Sequence, residues 1–274
     1  MQTFSSRDKM TPQMVEATES WKNKNPDWEY KLFDNNECIE FIGKHFDKDT
    51  LEAFNNLLPG AFKGDLFRYC YLYVKGGVYT DMDNICLVPL NDFLREDDTF
   101  VLVKDSVMHK SNLYYNAFMA AEKNNPVIKE AIDISVHNAK NSIYPRAINH
   151  VVSVLAVTGP KCLAVALEKH IDTVKHDLRL FSVIENLTPP LKITGVATDS
   201  GEAVVKVGYH GYKTDNNYWD LFRNKKIYKT QTPLISCLCP TKNDPSMVEK
   251  AVECFNNQTY PNKELILVSD EKNP

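Results

Sequence analysis

The sequence predicts an α/β protein with a mostly parallel sheet covered by helices on both faces. Short apolar runs typical of strands alternate with segments of helical periodicity, and this alternation is typical of a parallel sheet between helices. The 274 residues, 43% hydrophobic and 25% charged, are enough for one large domain, or for one domain with part of another. We find no internal repeat and no low-complexity tract.

Helix start signals and apolar spacing near 3.6 residues locate the helices, and buried apolar runs locate the strands. The expected helices cover residues 12–21, 35–42, 64–74, 126–137 and 160–169. The expected strands cover residues 30–33, 78–80 and 100–103. Gly76 and Gly77 end the third helix, and the strand that follows runs directly into Asp81-Met82-Asp83.

A second unit is predicted after residue 230. A new apolar strand at residues 234–239 is followed by turn residues and a helix, and another apolar strand covers residues 264–268. We therefore expect a catalytic domain at residues 1–230, then a linker and an incomplete second unit at residues 231–274.

Composition excludes several classes of protein. The formal net charge of −4 argues against a general nucleic-acid binder, and we interpret the basic run 223–229 as a solvated helix or tail. The start of the chain lacks the apolar core of a signal peptide, and no stretch is apolar enough for a transmembrane segment, so we expect a soluble, cytoplasmic protein. The seven cysteines, an odd number, indicate reduced thiols rather than a disulfide framework. The oligomeric state is not predicted.

Asp81 and Asp83 are the first candidates for chemistry. In an extended backbone, residues two apart point to the same side, so both carboxylates would face one ligand at the end of a buried strand. Two like charges so close favour a cation between them, and oxygen ligands favour Mn²⁺ or Mg²⁺ shared with a substrate diphosphate. The alternative is a surface turn with two solvated acids.

Asp65 and Arg68 are three residues apart on one face of the helix that precedes this strand. Arg68 could bind phosphate or sugar hydroxyls, and Asp65 could accept hydrogen bonds from sugar hydroxyls. The alternative is a surface ion pair that contributes a few tenths of a kcal/mol. The aromatic and aliphatic residues around the pair indicate a buried helix, and buried charges need partners.

The ordered segment from Phe62 to Asp83 resembles the signature of glycosyltransferase family 32, and the resemblance extends over about residues 2–230. Further matching stretches are residues 20–30, 115–120 and 158–160. The resemblance implies a GT-A fold, in which a Rossmann-like sheet is flanked by helices. It also implies a metal-dependent enzyme that transfers a sugar from a UDP- or GDP-sugar to a glycan or glycoconjugate hydroxyl with retention.

The resemblance also implies roles for individual residues. Asp81 and Asp83 would hold the metal and the diphosphate, and Asp65 and Arg68 would hold the donor sugar, with Asp65, Arg68 and Asp83 serving catalysis.

Three further assignments come from the same resemblance. Asn116 and Thr158 would line the donor or acceptor pocket, and His210 would add a metal or phosphate contact. One departure concerns the start: family members begin with an apolar strand that ends in His-Gln, and most of that strand and its His are missing before Gln2. Binding of the donor's base is therefore not predicted.

Two alternatives to a transferase remain open. A haloacid-dehalogenase-type phosphatase also has an Asp-x-Asp after a strand, but that class has threonine or valine where this chain has Ile85. A nucleotide-sugar-binding module without turnover is the non-enzymatic alternative.

Residues 233–274 resemble the start of glycosyltransferase family 2, in which Thr241 and Asp270 would contact a nucleotide.

Overall fold

The first part of the chain is mainly helical, and three of its α-helices begin at residues whose side chains cap free N–H groups. The computed structural model describes residues 1–105, 113–185, 194–208, 217–229, 235–241, 245–260 and 262–269. The side chains of Thr11, Asp34 and Asp47 accept hydrogen bonds from first-turn N–H groups of the first three α-helices. The elements in order are β1 (Gln2–Thr3), a 3-10 turn (Arg7–Lys9), α1 (Pro12–Lys24), β2 (Leu32–Phe33), α2 (Asn35–His45), α3 (Lys48–Asn56) and α4 (Gly60–Lys75).

Strands dominate the next part of the chain. The predicted strands 78–80 and 100–103 and the predicted helices 126–137 and 160–169 are confirmed within longer elements. The strands Leu178–Glu185, Thr194–Ala197 and Ala203–Lys206 are not among the predicted ones. The elements in order are β3 (Gly77–Thr80), β4 (Ile85–Cys86), α5 (Leu90–Phe93), β5 (Phe100–Asp105), β6 (Leu113–Tyr114), β7 (Phe118–Ala121), α6 (Pro126–Lys140), α7 (His150–Leu155), α8 (Pro160–Val174), β8 (Leu178–Glu185), β9 (Thr194–Ala197), β10 (Ala203–Lys206) and α9 (Tyr218–Arg223).

The central sheet confirms the α/β class but is mixed. The strand order is β3-β7-β5-β8-β9-β10-β4, with β6 paired to β5. Within the described part of this sheet, β5 and β8 pair in parallel and the remaining pairs are antiparallel. The expectation of mostly parallel pairing is corrected here, because close connections such as the turn between β9 and β10 bring the next strand back antiparallel.

The core lies on both faces of this sheet. Successive residues of β5 alternate between the faces, as the pleat requires. Phe100 and Leu102 pack into a cluster with the residues of α4 and α6, whereas Val101 and Val103 pack into a second cluster that contains Trp21 of α1. Helices therefore cover both sides of the sheet, as predicted.

The chain divides into two compact units, Met1–Lys229 and Thr230–Pro274. In the second unit, β11 (Ile235–Thr241) and β12 (Lys263–Ser269) pair in parallel, and α10 (Pro245–Asn256) connects them. This is the predicted strand–helix–strand order; its assignment to a second transferase domain stays a prediction. None of the described helices is long and apolar enough to cross a membrane. All seven cysteines are free, and those at positions 38, 70, 86 and 162 are buried.

Candidate functional site

Helix α4 places Asp65 and Arg68 in the interior. Their side chains are 13% and 6% exposed, and Arg68 Nη2 lies 2.9 Å from Asp65 Oδ1. The prediction that this helix is buried is confirmed, and the alternative of a surface ion pair is wrong. A buried pair is held only where its remaining polar atoms find partners, because desolvation of two charges is costly. The next contacts supply those partners.

Arg68 links α4 to the ends of two strands. Its Nη1 donates to the carbonyl oxygen of Asn116 at 2.6 Å and lies 3.2 Å from Asp81 Oδ1, and its Nε donates to the Gly64 carbonyl oxygen at 3.2 Å. The guanidinium also lies over the ring of Tyr79, 4.3 Å from the ring centroid. One guanidinium therefore joins two carboxylates, two carbonyls and an aromatic face, and it fixes Asp81 relative to the helix.

The Asp81-x-Asp83 segment is a turn, so our premise of an extended backbone is wrong. Strand β3 ends at Thr80, and the backbone N–H of Asn84 donates to the Asp81 carbonyl oxygen at 3.2 Å. The residue that shares the Asp81 side of the chain is Tyr79, whose hydroxyl donates to Asp81 Oδ1 at 2.5 Å. The Asp81 side chain remains 34% exposed, and Asp83 is half-buried.

Asp65 is held from its other side by the two residues that were predicted to line a pocket. Asn116 Nδ2 donates to Asp65 Oδ1 at 2.9 Å and to the Tyr69 hydroxyl at 3.0 Å, and Thr158 Oγ1 donates to Asp65 Oδ2 at 3.0 Å. A Cβ on Gly159 would lie 3.1 Å from that same oxygen, so a glycine there allows the close approach. The structure thus brings Asp65, Arg68, Asn116 and Thr158 together.

Burial controls the ionisation of this cluster. Burial raises the pKa of Asp65, while the charge of Arg68 opposes that shift. Burial alone would lower the pKa of Arg68, but Asp81, Tyr79 and Asp65 outweigh it and raise the pKa above its ordinary value. Burial also raises the pKa of Tyr79 well above its ordinary value, so its hydroxyl stays a donor to Asp81. The cluster is therefore a fixed cation between acids.

Sequence reasoning missed three residues that support the Asp81 turn. The carboxamide of Gln2 donates to the Asp81 carbonyl oxygen at 2.9 Å and accepts from the Tyr30 hydroxyl at 2.6 Å. Asn84 Nδ2 donates to the Ala117 carbonyl oxygen at 2.8 Å. Tyr79 could have been found, because it lies two residues before Asp81 on the same strand. No local signal links Gln2 to position 81.

The chain after β10 passes directly against the Asp81-x-Asp83 turn. A Cβ on Gly208 would lie 2.3 Å from the carbonyl oxygen of Asp83, closer than any side chain tolerates. His210, predicted as a further ligand, lies outside the described residues. Within the described ranges, no three His, Cys, Asp or Glu side chains form a metal-binding group. The described site thus offers two aspartates to a cation.

Comparison with known proteins agrees with this site. Residues 11–101 match the family model "Glycosyltransferase sugar-binding region containing DXD motif". The matched range contains α4, β3 and the Asp81-x-Asp83 turn. It covers about a third of the chain, and it supports one enzyme class, the glycosyltransferases.

Similar proteins cover parts of the chain. An initiation-specific alpha-1,6-mannosyltransferase of Candida albicans is 28% identical over 89 residues, which are 32% of this chain and 23% of that protein. An uncharacterized glycosyltransferase of Acanthamoeba polyphaga mimivirus is 31% identical over 97 residues, 35% of this chain and 38% of that protein. Among solved structures, the PaToxG glycosyltransferase has a TM-score of 0.44 and 17% identity, over 63% of this chain and 68% of that one. The chain therefore matches well under half the length of these sequence relatives.

Proposed function

We propose that the chain is a metal-dependent glycosyltransferase with a GT-A fold. It moves a sugar from a UDP- or GDP-sugar to a hydroxyl of a glycan or glycoconjugate, with retention. One observation carries the proposal: a buried guanidinium, Arg68, joins Asp65 of α4 to Asp81 of an Asp-x-Asp turn, inside the range that matches a sugar-binding family model. The relatives named above are glycosyltransferases, which supports the same class.

The two aspartates of the turn suit a hard divalent cation. The contacts of Asp81 with Arg68 and Tyr79 both fall on Oδ1, so Oδ2 is the oxygen we assign to a ligand. Asp83, half-buried in the same turn, offers the second carboxylate. Mn²⁺ or Mg²⁺ held here together with the donor diphosphate would stabilise negative charge on the leaving group. Two protein ligands would be sufficient, because oxygens of the diphosphate and water would supply the remaining ligands.

His210 is the last residue of this proposal. It lies outside the described residues, and the family resemblance is what supports it. We propose His210 as a third metal or phosphate contact.

Asp65 and Arg68 would bind the donor sugar beside the diphosphate. Asp65 is fixed by Asn116 and Thr158, so we propose that these two residues act on the donor by positioning that carboxylate. Arg68 is fixed by its carbonyl and carboxylate partners, and its charge acts on the diphosphate across a site of low dielectric, where such interactions are strong.

The transfer itself needs few protein groups. The glycosidic bond from the sugar to the diphosphate breaks, and an acceptor hydroxyl forms the new bond on the same face of the sugar. The proton of that hydroxyl goes to the departing diphosphate oxygen. The role of the chain is to hold the donor in this geometry and to favour the charge that develops on the diphosphate.

A donor screen tests the proposal. Binding stabilises the folded state by mass action, so the correct nucleotide sugar with Mn²⁺ should raise the unfolding temperature more than its competitors do. Mass spectrometry of the same mixtures then detects slow donor hydrolysis or transfer. Phosphate-ester cleavage would indicate a phosphatase, and binding without turnover would indicate a binding module.

A substitution links turnover to the turn. Asp83→Asn keeps the size of the side chain but removes one charge, so it should abolish turnover with Mn²⁺ or Mg²⁺ while the protein stays folded. Asp97→Asn, at an exposed position outside the cluster, is the matched control. An Asp83→Asn protein with unchanged activity would sink the metal assignment.

The second unit has its own proposal. Its parallel β11–β12 pair and α10 fit the predicted start of a glycosyltransferase family 2 domain, and we propose that it takes no part in the transfer described above. Deletion of residues 233–274 should therefore leave a soluble protein with undiminished transfer. Insolubility or lost activity would make the segment part of the catalytic fold.

A further inference from the structure

Three distant segments of the chain form one continuous surface, which we call the basic face: residues 55–63, 141–151 and 217–229. The backbone N–H of Leu58 donates to the Ile227 carbonyl oxygen at 2.8 Å, and the Tyr228 hydroxyl donates to the Ile143 carbonyl oxygen at 2.5 Å. The ring of Tyr144 lies 5.3 Å from that of Tyr228. These contacts fix the three segments to one another, so the basic face is a built part of the fold.

The charge of the basic face opposes the charge of the whole chain. Its three segments contain one acidic residue, Asp220, although the chain has a formal net charge of −4. Their cationic residues are Lys63, Arg146, Arg223, Lys225, Lys226 and Lys229. A local surplus of this kind attracts anionic partners even when the whole molecule is acidic.

Within the described part of the chain, most of these cations have no acidic partner. Among the residues that the structure describes, Arg223 pairs with Asp220 at 3.1 Å, and the other five cations form no ion pair. Burial lowers the pKa of Lys63, and the positive charge of Lys229 adds a smaller decrease. Two positive charges near each other become more favourable with an anion beside them.

The same face exposes apolar side chains. Ile148 is 94% exposed, Leu58 is 44% exposed and Val151 is 38% exposed. The exposed ring of His150 packs against Trp219 and Phe222, with centroid distances of 6.4 and 5.6 Å. The aliphatic side chain of Ile148 is therefore surrounded by solvent, two residues before a ring that packs on other aromatic side chains of the fold.

We propose that the basic face docks on the surface of an anionic phospholipid membrane. Basic side chains beside exposed aliphatic and aromatic residues are the composition that binds at the interface between lipid headgroups and acyl chains. The fully exposed aliphatic tip at Ile148 favours a lipid surface over a soluble polyanion, which offers no apolar layer to bury it. The exposed cations of the same face, Arg146 on the segment of Ile148 and Lys225 and Lys226 on the segment packed against it, match anionic headgroups.

The basic face is connected to the candidate site through α4 and α7. The docking proposal itself does not depend on glycosyl transfer. Phe62 of this face lies one helical turn before Asp65 on α4, and its ring contacts Tyr218 at 5.8 Å. Helix α7 starts at His150 on this face and leads to Thr158, which binds Asp65. Docking would therefore place the membrane next to the end of α4 that leads to Asp65.

Vesicle flotation of the full chain tests the proposal. We expect binding to phosphatidylcholine vesicles that contain about 30% phosphatidylserine at about 0.1 M salt, and little binding to phosphatidylcholine alone. The double variant Lys225→Gln/Lys226→Gln should bind about thirtyfold more weakly, because each basic residue near an anionic surface contributes about fivefold. Ile148→Ser should weaken binding on the order of tenfold through the loss of one buried aliphatic side chain.

Matched controls distinguish an effect of the basic face from the general effect of removing any exposed lysines or any exposed apolar side chain. Lys24→Gln/Lys123→Gln removes two exposed lysines elsewhere, and Val165→Ser removes an apolar side chain that is 41% exposed on α8. Both controls should bind like the wild type. No binding of the wild type to anionic vesicles would overturn the proposal, as would equal binding by the variants of the basic face. Binding to heparin without binding to vesicles would also overturn it and would assign the face to a soluble polyanion.

Discussion

Gly208→Ala tests whether turnover requires the present position of the Asp83 backbone, which Gly208 contacts just after β10. The φ of Gly208 lies outside the left-handed region, so alanine is compatible with its backbone. The new Cβ, however, would lie 2.3 Å from the Asp83 carbonyl oxygen and 3.2 Å from the carbonyl carbon and from Cβ. None of these atoms can be moved by a side-chain rotation. The turn or the strand end must therefore shift.

The magnitude follows from the overlap. A carbon needs about 3.5 Å to a non-bonded heavy atom, so the two backbones must separate by about 1 Å. Overpacking of this kind costs about 1–3 kcal/mol of folding stability, and each kcal/mol lowers the unfolding temperature of a domain this size by about 2–4 °C. A shift of about 1 Å in the reacting geometry lowers the rate by about a hundredfold, which is a barrier increase of about 2.7 kcal/mol.

The assay compares turnover with stability. Initial rates of donor hydrolysis or transfer over a range of Mn²⁺ concentrations should show the hundredfold loss at a temperature where the variant is fully folded. Gly60→Ala is the matched control, because a Cβ there meets nothing within 4 Å. A Gly208→Ala protein with wild-type turnover would refute the argument that the Asp83 backbone position limits catalysis.

Three further predictions concern the charges around Arg68. Arg68→Lys keeps the charge but loses the planar fork that reaches Asp65 and Asp81, so donor affinity or rate should fall more than tenfold, which is over about 1.4 kcal/mol. The control Arg179→Lys breaks an ion-pair network outside the site and should leave the kinetics unchanged. Wild-type kinetics in Arg68→Lys would make the pair of Asp65 and Arg68 purely structural. Tyr79→Phe keeps the ring beneath Arg68 but removes the hydrogen bond from the Tyr79 hydroxyl to the Asp81 carboxylate, which contributes about 1.5–3 kcal/mol. Turnover should therefore fall at least about tenfold. An unchanged rate would show that Arg68 alone holds Asp81. Because burial raises the pKa of Asp65 above 3.8, the folded state binds the proton of this carboxyl more tightly, and the free energy of unfolding should decrease as the pH rises from 3.8 through the folded-state pKa. In urea unfolding at several pH values, Asp65→Asn should flatten this part of the plot of stability against pH. An unchanged slope in Asp65→Asn would contradict the assignment.

Local signals account for the elements that the sequence predicts. The helix at Pro12 begins at an N-cap threonine followed by proline, and the helix ending before Gly76 needs a residue with positive φ, here +67°. The order of the strands has no such local signal. Strand β7 lies between β3 and β5, and β4 lies at the far end beside β10, because packing over long sequence separations decides these pairings.

The site shows the same division between local and distant information. The i,i+3 spacing and the aromatic surroundings of Asp65 and Arg68 predict a buried pair, and the structure has one. The bond from Arg68 to Asp81 joins two elements across the glycine pair, and no periodicity encodes it. The extended backbone assumed for Asp81 and Asp83 is wrong for a related reason. The turn is closed by Asn84, whose side chain is anchored to Ala117 of a distant segment.

The charge balance of the cluster explains why these residues need one another. Asp65 and Asp81 supply two carboxylates to one guanidinium, so this part of the site has one more formal negative charge than positive. Burial raises the pKa of Asp65, and the negative charge of Asp81 adds a smaller increase. A divalent cation between Asp81 and Asp83 would balance the excess in the exposed half of the cluster, where Asp81 is 34% exposed, while Arg68 balances Asp65 in the buried half. The single guanidinium holds Asp81 in place and also balances Asp65, so it cannot neutralise both of these carboxylates. We propose that the site is complete only when a dication and the donor diphosphate bind together.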